Sequence, residues 1–175
     1  MAEQGIGVVN FEVYLSGTTR LLGIASLELP NMEMATTDVG GTGIMGTMSM
    51  PLRGNLNSVE AKLTWRTMEK AASELNRHKA IKLSLYSDQE HYDAGAGEFK
   101  DPSHYVEIMG VPKSINLGKW EPSSTVDAET TLEVITLTYK IDNEEVINFD
   151  KFNYIYRVNG EDYGQPYRQA VKLTN

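Results

Sequence analysis

From Ser58 to Met68 the sequence alternates more cleanly than anywhere else in the chain. Val59, Ala61, Leu63 and Trp65 fall on one side, and Glu60, Lys62, Thr64 and Arg66 on the other. A period of two is the signature of a strand buried on one face and wet on the other. The same period recurs upstream, where Val9, Phe11, Val13 and Leu15 share a side. It recurs downstream at Ile81, Leu83 and Leu85, and again from Thr130 to Asp142, where Glu133, Ile135, Leu137, Tyr139 and Ile141 are expected on one face. Further strands are expected at Leu21 to Leu29, Tyr105 to Met109, Ile115 to Leu117, Val146 to Phe149 and Phe152 to Val158. Gly110 and Pro112 read as an interruption between two of them.

Helical periodicity is confined to two short stretches. Met68, Ala71, Ala72 and Leu75 lie at i, i+3, i+4 and i+7, which predicts a flanking helix over about 68–77 with Thr67 as its N-cap. Tyr163, Tyr167, Ala170 and Val171 predict a short C-terminal helix. Many strands without a βαβ rhythm predict a mainly β, antiparallel sandwich or barrel. At 175 residues the chain reads as a single domain over 1–175, large enough to bury roughly 70% of its unfolded surface. Residues 1–6 read as a flexible arm, and Ser16-Gly17-Thr18-Thr19 as a turn.

Between two of these strands lies an uncharged run, Val39 to Leu52, although 23% of the chain is charged. It holds Gly40, Gly41, Gly43 and Gly46, and also Met45, Met48 and Met50. Within 36–56, read as an extended loop, Thr37, Gly40, Gly41, Gly43, Ile44, Met45, Gly46, Met48 and Met50 are the candidate self-assembly residues. A pliable apolar loop of this size is rarely left bare on a soluble monomer, and Met side chains fill irregular gaps at contacts. A neighbouring copy of the chain is therefore expected to cover it.

Gly41-Thr42-Gly43-Ile44-Met45-Gly46 also matches G-x-G-x-x-G. A phosphate cradle needs a helix N-terminus at its end, whereas Thr47 and Pro51 start a helix poorly. His78, His91 and His104 are too far apart in sequence for a helical ligand pair, and Cys is absent, which removes thiolate metal sites and disulfides. Glu144-Glu145, Glu161-Asp162 and Glu90 with Asp93 pair carboxylates, but on turns facing solvent. No catalytic, cofactor or metal residues are assigned. The aromatics Phe149, Phe152, Tyr154, Tyr156, Tyr163 and Tyr167 read as core and interface. A net charge of −8 with no basic cluster argues against phosphate binding, and no signal peptide or membrane anchor is visible.

Taken in order, several pieces resemble the major tail tube proteins of contractile-tailed phages. They are the opening NFEVYLSGTTRLLGIASLELP, the segment GGTGIMG, the strand ending at Leu63 and Trp65, Val158-Asn159-Gly160-Glu161-Asp162, and Arg168-Gln169-Ala170. The resemblance spans about 8–68 and 144–172. The segments Asp93 to Ser103 and Lys113 to Asp127 depart from it. It implies a tail-tube fold whose copies form hexameric rings stacked into a hollow tube, the subunit sheets joining in an inner barrel. Implied partners are the sheath, tape-measure, baseplate and tail terminator proteins. DNA, where carried, would pass through the lumen without specific binding. Type VI secretion tubes and phage-tail-like bacteriocins share the architecture. Assembly in the host bacterial cytoplasm and a final place in the virion follow from it. The competing expectation is a monomeric β-sandwich binding module for carbohydrate or another virion component.

Overall fold

The fold is that of a computed structural model describing residues 3–17 and 19–173. Its organising strand is β10 (Ala128–Ile141), which carries β9 (Ser103–Asn116) along one edge. The opposite edge is divided. Ala128 to Glu133 pair with β6 (Glu60–Trp65), and Thr136 to Ile141 pair with β11 (Glu144–Asp150). The sheet therefore forks at residues 133–136. One branch continues from β6 to β3 (Ile24–Glu28), and the other from β11 to β12 (Ile155–Val158) and β13 (Glu161–Asp162). Beyond β9 come β7 (Ile81–Asp93), β1 (Glu3–Leu15) and β2 (Thr19–Arg20), with β8 (Glu98–Lys100) folded onto the end of β7. Every pairing among the described residues is antiparallel, and the chain adopts the mainly β architecture expected from its alternation. Phe11 of β1, Leu27 of β3, Val106 of β9 and Tyr139 of β10 face a common cavity, so the curled sheet brings its far margins together.

One hydrophobic cluster fills the interior. Val59, Ala61, Leu63 and Trp65 are all buried, as the alternation predicts, and the indole N–H of Trp65 donates to Thr130 Oγ1 at 3.1 Å. Leu83, Ile108, Leu132 and Phe149 close around it, capped by Ala72 of α1 (Lys70–Glu74) and by Leu75 at its C-cap.

Several expectations need correction. β1 already begins at Glu3, with Glu3, Gln4 and Gly5 opposite Asp93, Tyr92 and His91, so residues 3–6 are strand rather than arm; Met1 and Ala2 lie outside the described residues. Gly5, Gly7 and two register shifts blur the alternation there, and the long β7 supplies the template that local sequence does not. The expected turn at 16–19 includes Thr18, also outside the described residues. Leu21 to Leu29 holds only the short β3, because the chain bends at Gly23, whose φ is +79°.

The helix is shorter than 68–77, and Glu69, not Thr67, occupies its N-cap without a capping side chain. Thr67 instead packs against Gly23, so closely that a Cβ there would lie 2.9 Å from its Oγ1. The side chain of Ala71 lies outside the described residues. Gly110 and Pro112 do not break β9. A Cβ on Gly110 would sit 2.6 Å from Glu133 O, so glycine permits the close approach of β10. Pro112 falls beyond the last β7 pair, where β9 has a neighbour on one side only. On β10, a register shift between Val134 and Thr136 changes the phase. Leu132, Val134 and Leu137 are buried while Glu133 and Ile135 stay half-exposed, so the expected common face of Glu133 and Leu137 does not exist.

Candidate functional site

The stretch read as an extended loop over 36–56 is a hairpin. β4 (Met34–Gly40) and β5 (Thr47–Leu56) pair only with each other, forming a two-stranded sheet apart from the main one. Thr37 lies opposite Met50, Val39 opposite Met48, and Gly40 opposite Thr47. Directly opposed residues share a face. One face thus carries Thr37, Val39, Met48 and Met50, and the other carries Thr36, Asp38, Thr47 and Ser49.

Gly41, Gly43, Ile44, Met45 and Gly46 make the turn, braced by Ile44 N–H donating to Gly41 O at 3.1 Å. Gly43 and Gly46 adopt φ of +94° and +92°, which an L side chain rarely tolerates. Met45, at the tip, is fully exposed, and Ile44 alone of the turn's apolar side chains is half-buried. The residues after Gly46 form β5, so no helix N-terminus faces the glycines and the G-x-G-x-x-G spacing makes no phosphate cradle.

The hairpin is apolar on one side and polar on the other, a division that exists only because the segment pairs as strands. Its root is firm. Met34 pairs with Leu56, Asn57 N–H donates to Glu33 O at 2.9 Å, and Met32 and Leu56 pack on the core. Tyr167 of α2 (Gln165–Ala170) leans on Gly54, where a Cβ would meet its ring at 3.1 Å.

Beside the root lies the polar hub of the fold, Glu133. Its carboxylate accepts from Ser58 Oγ (2.5 Å), Lys151 Nζ (2.9 Å) and Val59 N–H (3.3 Å), with Lys113 Nζ at 3.6 Å. Burial pushes this carboxyl up, but the Ser58 hydroxyl, the Lys151 ammonium and the Val59 N–H outweigh it and hold it at about 2. The hub sits at the fork, where Val134 N–H reaches Val59 O and Lys151 N–H reaches Ile135 O.

The other candidate groups do not converge. Asp93, Glu107 and Asp162 lie below the ordinary carboxylate value, the reverse of what a general acid needs. Asp162 is held down first by Arg168, 2.6 Å away, and Glu145 faces Arg157 at 3.4 Å. No group of three or more metal-ligating side chains occurs among the described residues. Of the C-terminal aromatics, Phe149 is core, Tyr156 and Tyr163 touch at 6.3 Å, and Phe152 and Tyr154 point into solvent, so no common stacking face forms.

Two features escaped the sequence reading. Tyr14, Tyr86 and Tyr105 form a ladder across β1, β7 and β9, with ring centroids 5.7 and 5.0 Å apart. His104 is buried, and its Nδ1 lies 2.6 Å from Tyr139 Oη. Alternation at Tyr105 and Val106 could have placed His104 on the inner side, but not its partner 35 residues away.

Comparison with known proteins places the chain among tail components. A family model described as phage tail tube protein FII matches residues 7–171. Among solved structures, the chain is similar to the sheath/tube terminator of PVC, an extracellular contractile injection system, in its extended state. Identity is 15% and the TM-score 0.54, over 77% of this chain and 96% of that one. At that identity the likeness concerns the fold. No curated protein matches the chain by sequence.

Proposed function

The chain belongs to the phage tail tube protein FII family, a structural component of a phage tail or tail-like particle, and from that premise we propose how it assembles. Copies of the chain form hexameric rings that stack into the hollow inner tube, a conduit for DNA or effectors. The observation that carries this reading is the β4–β5 hairpin, firmly rooted yet paired with no other strand among the described residues. A two-stranded hairpin is marginal in water by itself. One that presents Val39, Met48 and Met50 on a single face gains stability when a neighbouring copy covers that face.

The sheet margins support the same reading. β1 pairs with β7 along its length, but β2 reaches only Tyr14 and Leu15 on the other side. The edge left unpaired among the described residues carries exposed Ile6, Val8 and Val9, and a long apolar edge is a template for another strand. Ring closure removes such edges by pairing them. The net charge of −8 suits a lumen through which DNA slides with few phosphate contacts. Sheath, tape-measure, baseplate and terminator proteins are the partners this role requires, with assembly in the bacterial cytoplasm before incorporation into the particle.

Negative-stain microscopy of the purified protein at rising concentration tests the proposal. Rings or hollow rods are the expected result. A strictly monodisperse monomer under every condition would overturn it.

A further inference from the structure

The segment 117–127, between β9 and β10, carries Trp120 with 90% of its surface exposed and Leu117 with 68%. This loop is pinned rather than loose. Lys119 N–H donates to Val126 O and Val126 N–H to Arg66 O, each at 2.8 Å, and Gly118 N–H donates to Asn116 Oδ1 at 3.0 Å. A Cβ on Gly118 would lie 2.1 Å from Val126 O, so the loop closes tightly beneath its tip. Trp is the side chain most enriched at binding hot spots, and one held in place before contact loses little entropy on docking.

The β9–β10 ladder runs from Asn116 opposite Glu129, beside this loop, to His104 opposite Ile141 at the other end. Twelve residues of strand separate the two ends by roughly 40 Å. At the far end lies a cavity of about 140 Å³ walled by Phe11, Leu27 and Val106, with exposed Val8 and Leu29 among its lining residues. Ser87, Gln89 and His104 also line it. Ser87 and His104 face each other directly across β7 and β9, and Ser87 Oγ and His104 Nε2 are buried without a hydrogen-bond partner. The surface the cavity offers is therefore mainly apolar, and it is fitted to an occupant with a flat apolar body. An indole is such a body.

We propose that Trp120 of one copy inserts into the Ser87–His104 cavity of the next. A knob at one end of the molecule and a hole at the other make a heterologous contact, which propagates head to tail. The inference rests on the self-assembly proposed above and names one of its contacts.

Trp65 and Trp120 are the two tryptophans, and Trp65 is fully buried, so acrylamide quenching and the change in emission on assembly report Trp120. In monomer, acrylamide should quench Trp120 readily. On assembly its emission should shift to the blue and quenching should fall, a change absent from Trp120→Phe. Trp120→Ala should raise the concentration needed for assembly at least about tenfold. Ser87→Met fills the cavity and removes an unpaired hydroxyl. It should leave thermal stability unchanged or higher while impeding assembly equally.

Rods in which Trp120 stays quenchable, or in which both variants assemble normally, would overturn this contact and leave the tube reading standing. Wild-type protein that never assembles would sink both. Should Ser87→Met fail to fold, the quenching of the wild type decides alone.

Discussion

Replacing Glu133 by Gln keeps the volume of the side chain and removes the charge on which the fork of the sheet is pegged. The folded carboxyl is held at about 2, against an ordinary value of 4.5. A tenfold change in proton affinity is worth about 1.4 kcal/mol, so this gap sets an upper bound of about 3.4 kcal/mol. The carboxylate side chain is 28% exposed, and Lys113 is 47% exposed, so solvent screens much of that figure. We expect Glu133→Gln to cost about 1–2 kcal/mol at neutral pH, read by urea unfolding. Because the folded pKa is depressed, the stabilisation is present in full above about 4.5 and is lost as pH falls through about 2. The wild type and the variant should therefore converge over that window. A variant as stable as the wild type at pH 7, or a deficit that does not shrink on acidification, would refute the role given to Glu133.

Three further expectations concern packing and assembly. Trp65→Ala empties the middle of the core and strands the Thr130 hydroxyl, and should cost about 3–5 kcal/mol in denaturant unfolding; a loss below about 1 kcal/mol would deny Trp65 its anchoring place. Gly164→Ala should lower the melting temperature and loosen the Asp162–Arg168 pair, since its Cβ would lie 2.0 Å from Tyr154 O, at a cost of about 1–3 kcal/mol; an unchanged melt would show that α2 can shift freely. Met45→Asp with Met48→Asp should abolish rods, because it places charge in a desolvated contact, yet leave subunit melting within about 0.5 kcal/mol of the wild type; rods growing normally would mean the hairpin is not the joint.

Local pattern alone is enough for the class of fold and for the candidate surface. Strict alternation put Val59, Ala61, Leu63 and Trp65 inside, because a period of two leaves a strand only one way to bury its apolar half. The uncharged run from Val39 to Leu52 marks the hairpin in the sequence. Tertiary structure alone decided the rest, and in each case the reason is a contact distant in sequence. Residues 3–6 become strand because β7 extends far enough to pair with Glu3, Gln4 and Gly5. Thr67 does not cap the helix, because it packs against Gly23 from another part of the chain. Pro112 survives within β9 because β7 stops short of it. Leu137 and Glu133 part company because one extra residue in β10 reverses the pleat where two branches of the sheet divide. The same fork holds a carboxylate at its centre, and the curl of the sheet left Ser87 Oγ and His104 Nε2 buried without hydrogen-bond partners. Alternation specifies which residues a strand can bury. Which strand lies beside it, and which polar groups that neighbour leaves unpaired, is set only when the sheet closes on itself.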